Sequence, residues 1–565
     1  MPNAKTPRIL IVGASAAGLK AGARAARLDP SAAITVLERR TFFSYGACGL
    51  PYYVGGDVDD AEELRRTAYG SVRDEGYFAA VKGLDVCSGW TAVGLDREAR
   101  AVTARRADGS KRSFEYDRLV VATGARARTL PGIELGEHVL VLHTPEDARA
   151  LRRGLETGQV ATAIVVGGGF IGVELAVALG DMWGCEVTIL EAEDRLLPQM
   201  LDREMADLVS AALAERGVTV RTGCPVIGAR STEGGAVVEA GGALAGEPLE
   251  ADRAVVALGV APECEFARAA GLAVGRSGGL VVDDRLRTSD PDIFAAGDCV
   301  EVTCAVSGAP RYVPLGSLAN RAGRVVGDNL VGLKTRFPTV AGSACVKVFD
   351  LNVAATGLSE AAAARAGLAA RSAWGTFYDV AHYYPEVKTL HLKLVYERES
   401  GRVLGLQAVG AGDAVKRIDL VANLLRRGGE VAEILDLEFG YSPPFNAALD
   451  PLHGIAATAL NQERFAIPGI APSAEPEGRL VLDVRRPEEI AESPSGFSNA
   501  LEIACEEVRA RVAEIRPGTP LLVVCEKGPR SAEIARWLQH RGFDDVAFLA
   551  GGISLRTALR PRRTG

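Results

Sequence analysis

The chain has no excess of positive charge: 64 Lys and Arg stand against 72 Asp and Glu, a formal net charge of −8. Binding a polyphosphate backbone needs a basic field, so the composition argues against nucleic acid as a partner. It also has no CxxC pair. The ten cysteines (Cys48, Cys87, Cys185, Cys224, Cys264, Cys299, Cys304, Cys345, Cys505 and Cys525) are scattered, which fits neither a disulfide framework nor a metal doublet and suits a reducing cytoplasm. Two apolar stretches imitate export or membrane signals: Ile9 to Ala14 behind Lys5 and Arg8, and Ala163 to Gly180. Each contains a glycine-rich turn and the second carries Glu174, so no membrane span is expected. What the chain has in excess is glycine, 64 of 565 residues, beside 48% hydrophobics. At roughly 150 residues per domain, such a length suggests about four domains rich in tight turns.

The glycines are patterned. Arg8 to Val12 (RILIV) reads as a buried strand, Gly13-Ala-Ser15-Ala-Ala-Gly18 turns into an Ala-rich helix, and Ile34 to Leu37 forms a second strand ending at Glu38. This is a βαβ dinucleotide unit, in which glycines allow the tight turn and the helix N-terminus receives a pyrophosphate. Ser15 replaces the usual middle glycine. The pattern recurs at Ala163 to Val166, Gly167-Gly-Gly169-Phe-Ile-Gly172 and Val187 to Leu190, ending at Glu191. The last glycine and the acidic residue lie 38 − 18 = 20 positions apart in the first copy and 191 − 172 = 19 in the second. One such motif is weak; two with matched acidic partners are strong. Each carboxylate is placed for an adenosine ribose. Glu191, with Glu193 and Asp194 nearby, would repel a 2′-phosphate, which favours NADH, with NADPH the lesser choice because of Arg195.

Two more buried strands end in glycine turns, Leu119 to Gly124 (LVVATG) and Ile293 to Asp298 (IFAAGD). Together with the two glycine motifs these segments resemble the flavin-dependent pyridine nucleotide-disulfide oxidoreductases over roughly residues 8 to 460. The resemblance implies an FAD domain at 1–145 and 275–335, an NAD domain at 146–274 and an α+β dimerisation domain at 336–463. The cofactor-binding residues it implies are Gly13, Ser15, Gly18, Glu38, Ser44, Thr123, Gly124, Gly297 and Asp298, with Gly167, Gly169, Gly172, Glu191 and Gly259 for the second nucleotide. Asp298 would bond the flavin ribityl chain.

Cys48 lies in Ser44-Tyr-Gly-Ala-Cys48-Gly-Leu-Pro51-Tyr52-Tyr53, where a Gly-rich loop can expose sulfur and direct backbone N–H groups at a thiolate. The segment resembles the redox loop of coenzyme A disulfide reductases and of persulfide and polysulfide reductases. Two-cysteine relatives carry a second Cys five positions on; here that position is Tyr53. The resemblance implies one redox cysteine, a coenzyme A disulfide, coenzyme A persulfide or polysulfide as substrate, and a homodimer with a shared active site. There Tyr383 and Tyr441, from His382-Tyr383-Tyr384-Pro385 and Gly440-Tyr441, would reach the partner's cysteine as proton donors. Lys20 and Arg24 are candidate anchors for coenzyme A phosphates, against a plain reading as solvated charge. The competing flavin readings are a single-cysteine NADH peroxidase or oxidase, which would carry a His where Ala16 stands, and an electron-transfer reductase with no need of Cys48.

Asn461 to Gly478 is rich in Pro, Ala and Glu and reads as a linker, which spans 464–478 once the dimerisation domain has ended at 463. Beyond it, Leu480 to Asp483 and Leu521 to Val524 read as strands, the latter leading through Cys525-Glu-Lys527-Gly528-Pro-Arg530-Ser531 into a helix. A cysteine between a buried strand and a helix start is circled by free N–H groups. Residues 479–565 resemble a single rhodanese domain, which implies Cys525 as sulfur carrier with Arg530 beside it. Four residues separate Cys525 from Arg530, one fewer than a phosphatase loop needs. The other reading of this domain is a non-catalytic docking module. The expected fold is α/β: two Rossmann-like domains as in glutathione reductase, the dimerisation domain, and the rhodanese domain.

Overall fold

The computed structural model describes residues 7–559; Lys5 and the outer ends of the first and last expected domains lie outside the described residues. The first sheet is parallel, with strands in the order Ile293–Ala295, Arg118–Val121, Arg8–Val12, Ala33–Glu38 and Asp85–Ser88. Near-continuous burial of Ile9 to Val12 and Leu119 to Val121 is what a sheet covered on both faces demands. Its edge strand Ile293–Ala295 comes from beyond the second nucleotide unit, as expected of a chain that returns. Helix Ala16–Leu28 packs along helix Gly316–Leu330, because a Cβ at Gly323 would lie 2.4 Å from the Ala17 carbonyl and one at Gly327 2.6 Å from the Arg24 Cβ.

The second sheet is also parallel, ordered Thr219–Arg221, Glu186–Leu190, Thr162–Val166, Arg253–Val256 and Val139–Val141. Strand Val139–Val141 corrects the expected division at residue 146, since it pairs with Arg253–Val256 and belongs to this unit. A three-residue strand is too short to show periodicity, whereas helix Pro145–Glu156 announces itself through the Thr144 capping box. The third sheet is antiparallel, ordered Ala344–Val348, Leu351–Gly357, Val403–Gly410, Thr389–Glu397 and Ala370–Tyr378, and is backed by helices Val415–Leu425 and Pro451–Phe465.

The last sheet is parallel, ordered Gly469–Ile470, Val546–Leu549, Leu521–Val524, Leu480–Asp483 and Leu501–Glu502. The segment expected to be a linker is therefore structured. Residues 461–465 complete the helix from Pro451, and Gly469–Ile470 joins the sheet opposite Phe548 and Leu549. Its Pro and Ala content hid a two-residue strand held by backbone bonds from Phe548 N–H to the Pro468 carbonyl and from Ala550 N–H to the Ile470 carbonyl. Among the described residues no helix is long and apolar enough to cross a membrane.

Candidate active sites

Both glycine turns are built as their spacing requires. Gly13 has φ +112°, and a Cβ there would lie 2.1 Å from the Ala122 carbonyl oxygen; one at Gly18 would lie 2.0 Å from the Gly13 carbonyl oxygen. Gly167, at φ +110°, and Gly172 meet Ala257 and Gly167 in the same way, at 2.6 and 1.9 Å. Only glycine fits at these positions. Ser15 and Gly169 cap the two helices without a side-chain bond, leaving the N-terminal amides clear. The acidic partners do more than wait for a ribose. Glu38 accepts from the Ala14 and Arg40 N–H groups at 2.8 and 3.0 Å, and buried Glu191 accepts from Gly168 and Glu193 at 2.7 and 2.8 Å. Each carboxylate thus fixes its own glycine turn. Thr123 donates to the Glu263 carbonyl, and Gly124 and Gly259 take left-handed turns with open space where a Cβ would stand.

Gly297, at φ +86°, lies against Ala17 at the start of the first helix and is followed by Asp298. Burial alone pushes the Asp298 carboxyl up to about 6. Beside it the Tyr312 hydroxyl is buried without a hydrogen-bond partner. An unsatisfied hydroxyl next to a desolvated carboxyl, at the end of a glycine cradle, is what a polar cofactor would complete. Tyr312 was not legible in the sequence, having no motif around it.

The cysteine loop is attached to this cradle. Ser44, buried at φ +59°, donates its N–H to the Ala14 carbonyl at 3.0 Å, an uncommon backbone geometry held in place by the glycine loop. Cys48 follows in the single turn Ala47–Gly49, exposed, ahead of helix Leu50–Gly55. The expected lowering of its pKa is not observed. Although the residue is exposed, desolvation by the surrounding loop pushes the thiol up, Glu174 and Asp298 add to the rise, and the backbone N–H of Cys48 itself opposes it. Glu174 enters from the second unit's helix Phe170–Trp183 and accepts from the Tyr52 hydroxyl at 3.3 Å. Burial pushes Glu174 up to about 7. A lone charge within the apolar run Ala163–Gly180 was its sequence signal. Because Glu174 would ionise near 4.5 when unfolded, the folded chain binds more protons between 4.5 and about 7, and stability falls as pH rises through that window. Glu174→Gln removes that fall. Denaturant titrations are expected to show the variant gaining stability over the wild type on going from about pH 5 to about pH 8.

Tyr383 and Tyr441 come together across 58 positions: Tyr441 hydrogen-bonds to Tyr383 and raises its pKa, while the two remain 65% and 54% exposed. Phe445 and Leu449, on the segment that follows Tyr441, are exposed as well. Arg417, fully buried on helix Val415–Leu425, ties the two tyrosine loops together. It pairs with buried Asp450 at 2.9 Å and donates to the Asp379 carbonyl at 2.9 Å and to Asn446 Oδ1 at 3.3 Å. Arg417→Met is expected to cost about 3–5 kcal/mol by stranding Asp450, measured by denaturant unfolding. Of the two candidate anchors, Arg24 pairs through its Nε with Asp328 at 2.5 Å, and Lys20 is exposed.

In the C-terminal unit, Cys525 stands between strand Leu521–Val524 and helix Pro529–His540, 1% exposed. Its Sγ accepts from the Gly528 N–H at 3.1 Å and the Ser531 N–H at 3.3 Å and donates to Ser531 Oγ at 3.4 Å. Ser531, fully buried, was missed because a hydroxyl one position beyond the loop carries no pattern of its own. Arg530 is held by both oxygens of Glu489, at 2.8 and 2.5 Å, which pulls Glu489 down to about 2. Arg530 is thus held in place by Glu489 while its charge still acts on Cys525.

The profile described as pyridine nucleotide-disulphide oxidoreductase matches residues 7–320, that of the family's dimerisation domain 343–452, and that of the rhodanese-like domain 472–555. The chain belongs to the pyridine nucleotide-disulphide oxidoreductases. A solved NAD-dependent persulfide reductase from A. fulgidus is 41% identical, with TM-score 0.92 over 97% of this chain and 99% of that one. The reduced CoADR-RHD protein of Bacillus anthracis is 29% identical, with TM-score 0.91 over 99% of both chains. A curated NAD(P)H sulfur oxidoreductase (CoA-dependent) from Pyrococcus abyssi is 33% identical over 446 residues, 79% of this chain and 96% of its own length. This oxidoreductase therefore carries, beyond the length shared with that relative, a rhodanese-like domain on the same polypeptide.

Proposed function

We propose that this oxidoreductase reduces coenzyme A persulfide, coenzyme A disulfide or polysulfide at Cys48 with electrons from NADH, and that Cys525 carries sulfane sulfur. The observation that carries the reading is the convergence of Cys48, Glu174 and Asp298 at the junction of two glycine cradles, with no second cysteine at Tyr53. FAD, when bound, supplies two-electron transfer between nicotinamide and sulfur. The Gly13, Ser15 and Gly18 turn, Thr123, Gly124, Asp298 and Tyr312 would hold it, and Gly167, Gly169, Gly172, Glu191 and Gly259 would hold NADH. The Cys48 thiolate attacks a sulfur of the substrate S–S bond, forming a mixed disulfide or persulfide on Cys48 and expelling the remaining thiolate. The structure raises the pKa of that thiol, so its proton must leave before attack, and Glu174, titrating near 7, is the base at hand. Lys20, exposed on the first helix, is a candidate anchor for coenzyme A phosphate.

A homodimer completes the reading: the exposed side chains of Tyr383, Tyr441, Phe445 and Leu449 suit burial against a second copy, where the tyrosine hydroxyls protonate the leaving thiolate. The test is NADH consumption by the purified holoenzyme with coenzyme A disulfide, coenzyme A persulfide, oxygen and hydrogen peroxide in parallel. The reading expects coenzyme A substrates to dominate and NADH to outrun NADPH. Faster turnover of oxygen or peroxide would favour the oxidase or peroxidase reading, and a clear NADPH preference would overturn the role given to Glu191.

A further inference from the structure

We propose that the cavity between the Cys525 loop and the antiparallel sheet binds an amphipathic organic anion, with Lys527 as its charge partner. The cavity is about 470 Å³ and is walled by Trp374 and Phe377 of one domain, Ala457 and Phe465 of helix Pro451–Phe465, and Lys527 and Arg536 of the sulfur domain. Its walls are mostly aromatic and aliphatic, and they carry two cations at one side. Lys527 Nζ is buried 2.8 Å from the centre of the Tyr378 ring, and Tyr378 is its one side-chain partner, which leaves its three N–H donors short of acceptors. Arg536 spreads over the Phe465 ring at 4.4 Å. The one acidic wall residue, Glu533, faces outward to Arg509 at 3.7 Å.

A buried ammonium short of acceptors is costly, and burial lowers the Lys527 pKa, with the hydrogen bond to Tyr378 and the charge of Glu526 opposing. An incoming carboxylate, sulfonate or phosphate supplies a charged acceptor, while the aromatic walls take an apolar body; a neutral ligand leaves the amine short of acceptors, and a cation meets two like charges. The two sides are locked at a fixed distance by Thr376, whose hydroxyl donates to the Gly551 carbonyl at 2.7 Å and lies 3.1 Å from His391 Nδ1. The cavity is therefore formed by the fold before any ligand arrives. Its occupant would rest on Gly528, which also lines the wall and whose N–H is bonded to Cys525 Sγ.

The experiment is calorimetric titration of the full-length holoenzyme with 8-anilinonaphthalene-1-sulfonate, and with N-phenyl-1-naphthylamine, the same aromatic body without the sulfonate. The sulfonate is expected to fill a site on each chain that the neutral compound binds about tenfold or more weakly, because only the anion meets the buried amine. Lys527→Met should weaken that site by about tenfold or more while Lys527→Arg retains it. Ala457→Phe, which fills the cavity from a different element and leaves Lys527 in place, should abolish it, and far-UV circular dichroism checks that each variant is folded. Sulfonate binding unchanged in both Lys527→Met and Ala457→Phe, or equal affinity for the neutral compound, would overturn the proposal.

Discussion

Cys48→Ser is expected to retain bound flavin and its reduction by NADH while losing turnover of coenzyme A disulfide and persulfide by at least about a thousandfold. The loop that carries Cys48 is anchored through Ser44 to the Ala14 carbonyl and through Tyr52 to Glu174, and neither contact involves the sulfur. A sulfur-to-oxygen change therefore leaves the cradle in place and removes only the nucleophile. Stopped-flow flavin reduction and steady-state NADH oxidation separate the two effects. Glutathione disulfide should be turned over poorly even by the wild type, since Tyr53 stands where an exchange partner would be. Disulfide turnover by the Ser variant at a wild-type rate would remove Cys48 from the mechanism.

Cys525→Ser is expected to abolish sulfur transfer from thiosulfate or polysulfide, with flavin reduction by NADH unchanged. Sγ sits among the N–H groups of Gly528 and Ser531, a cradle that stabilises a thiolate and equally a terminal persulfide sulfur. Mass spectrometry after exposure to a sulfane donor should show wild-type Cys525 gaining about 32 mass units, one sulfur atom, and the variant gaining none there. It has its own sheet, and its core shares no residue with the core beneath the Gly13–Gly18 cradle, so the loss should not spread to the flavin. A wild-type Cys525 that never gains sulfur, together with a variant that transfers sulfur normally, would make the domain a docking module.

The parts legible in the sequence are those where chemistry is local. Gly13, Gly18, Gly167 and Gly172 are dictated by a steric demand that reaches no further than the neighbouring strand, so their spacing announced both cradles. Cys48 and Cys525 stood out because the turns around them are short and sequence-contiguous. Glu174 is different: its carboxyl matters because Tyr52 and Cys48, 122 and 126 positions away, fold against it. A charge in an apolar helix was visible, but its target was not. Arg417 offered a similar hint, since it falls on the same helical face as Val421 and Leu424 and so had to be buried with a partner. That partner, Asp450, lies on a separate element.

What the sequence by itself determined is therefore the duplicated nucleotide architecture, the short Cys48 turn with no second cysteine at Tyr53, the Cys525 loop between a strand and a helix, and the order of the domains. Period, glycine spacing and turn chemistry are properties of adjacent residues and need no tertiary context. Only the tertiary structure decided where the domains divide, because strands of two or three residues such as Val139–Val141 and Gly469–Ile470 exist solely through their neighbours in the sheet. It alone committed Arg24 to Asp328 and Arg530 to Glu489, since a charged side chain pairs with whatever opposite charge the fold brings within reach. It also raised the pKa of Cys48 and Glu174, because desolvation depends on everything packed around a group and on nothing written beside it in the chain.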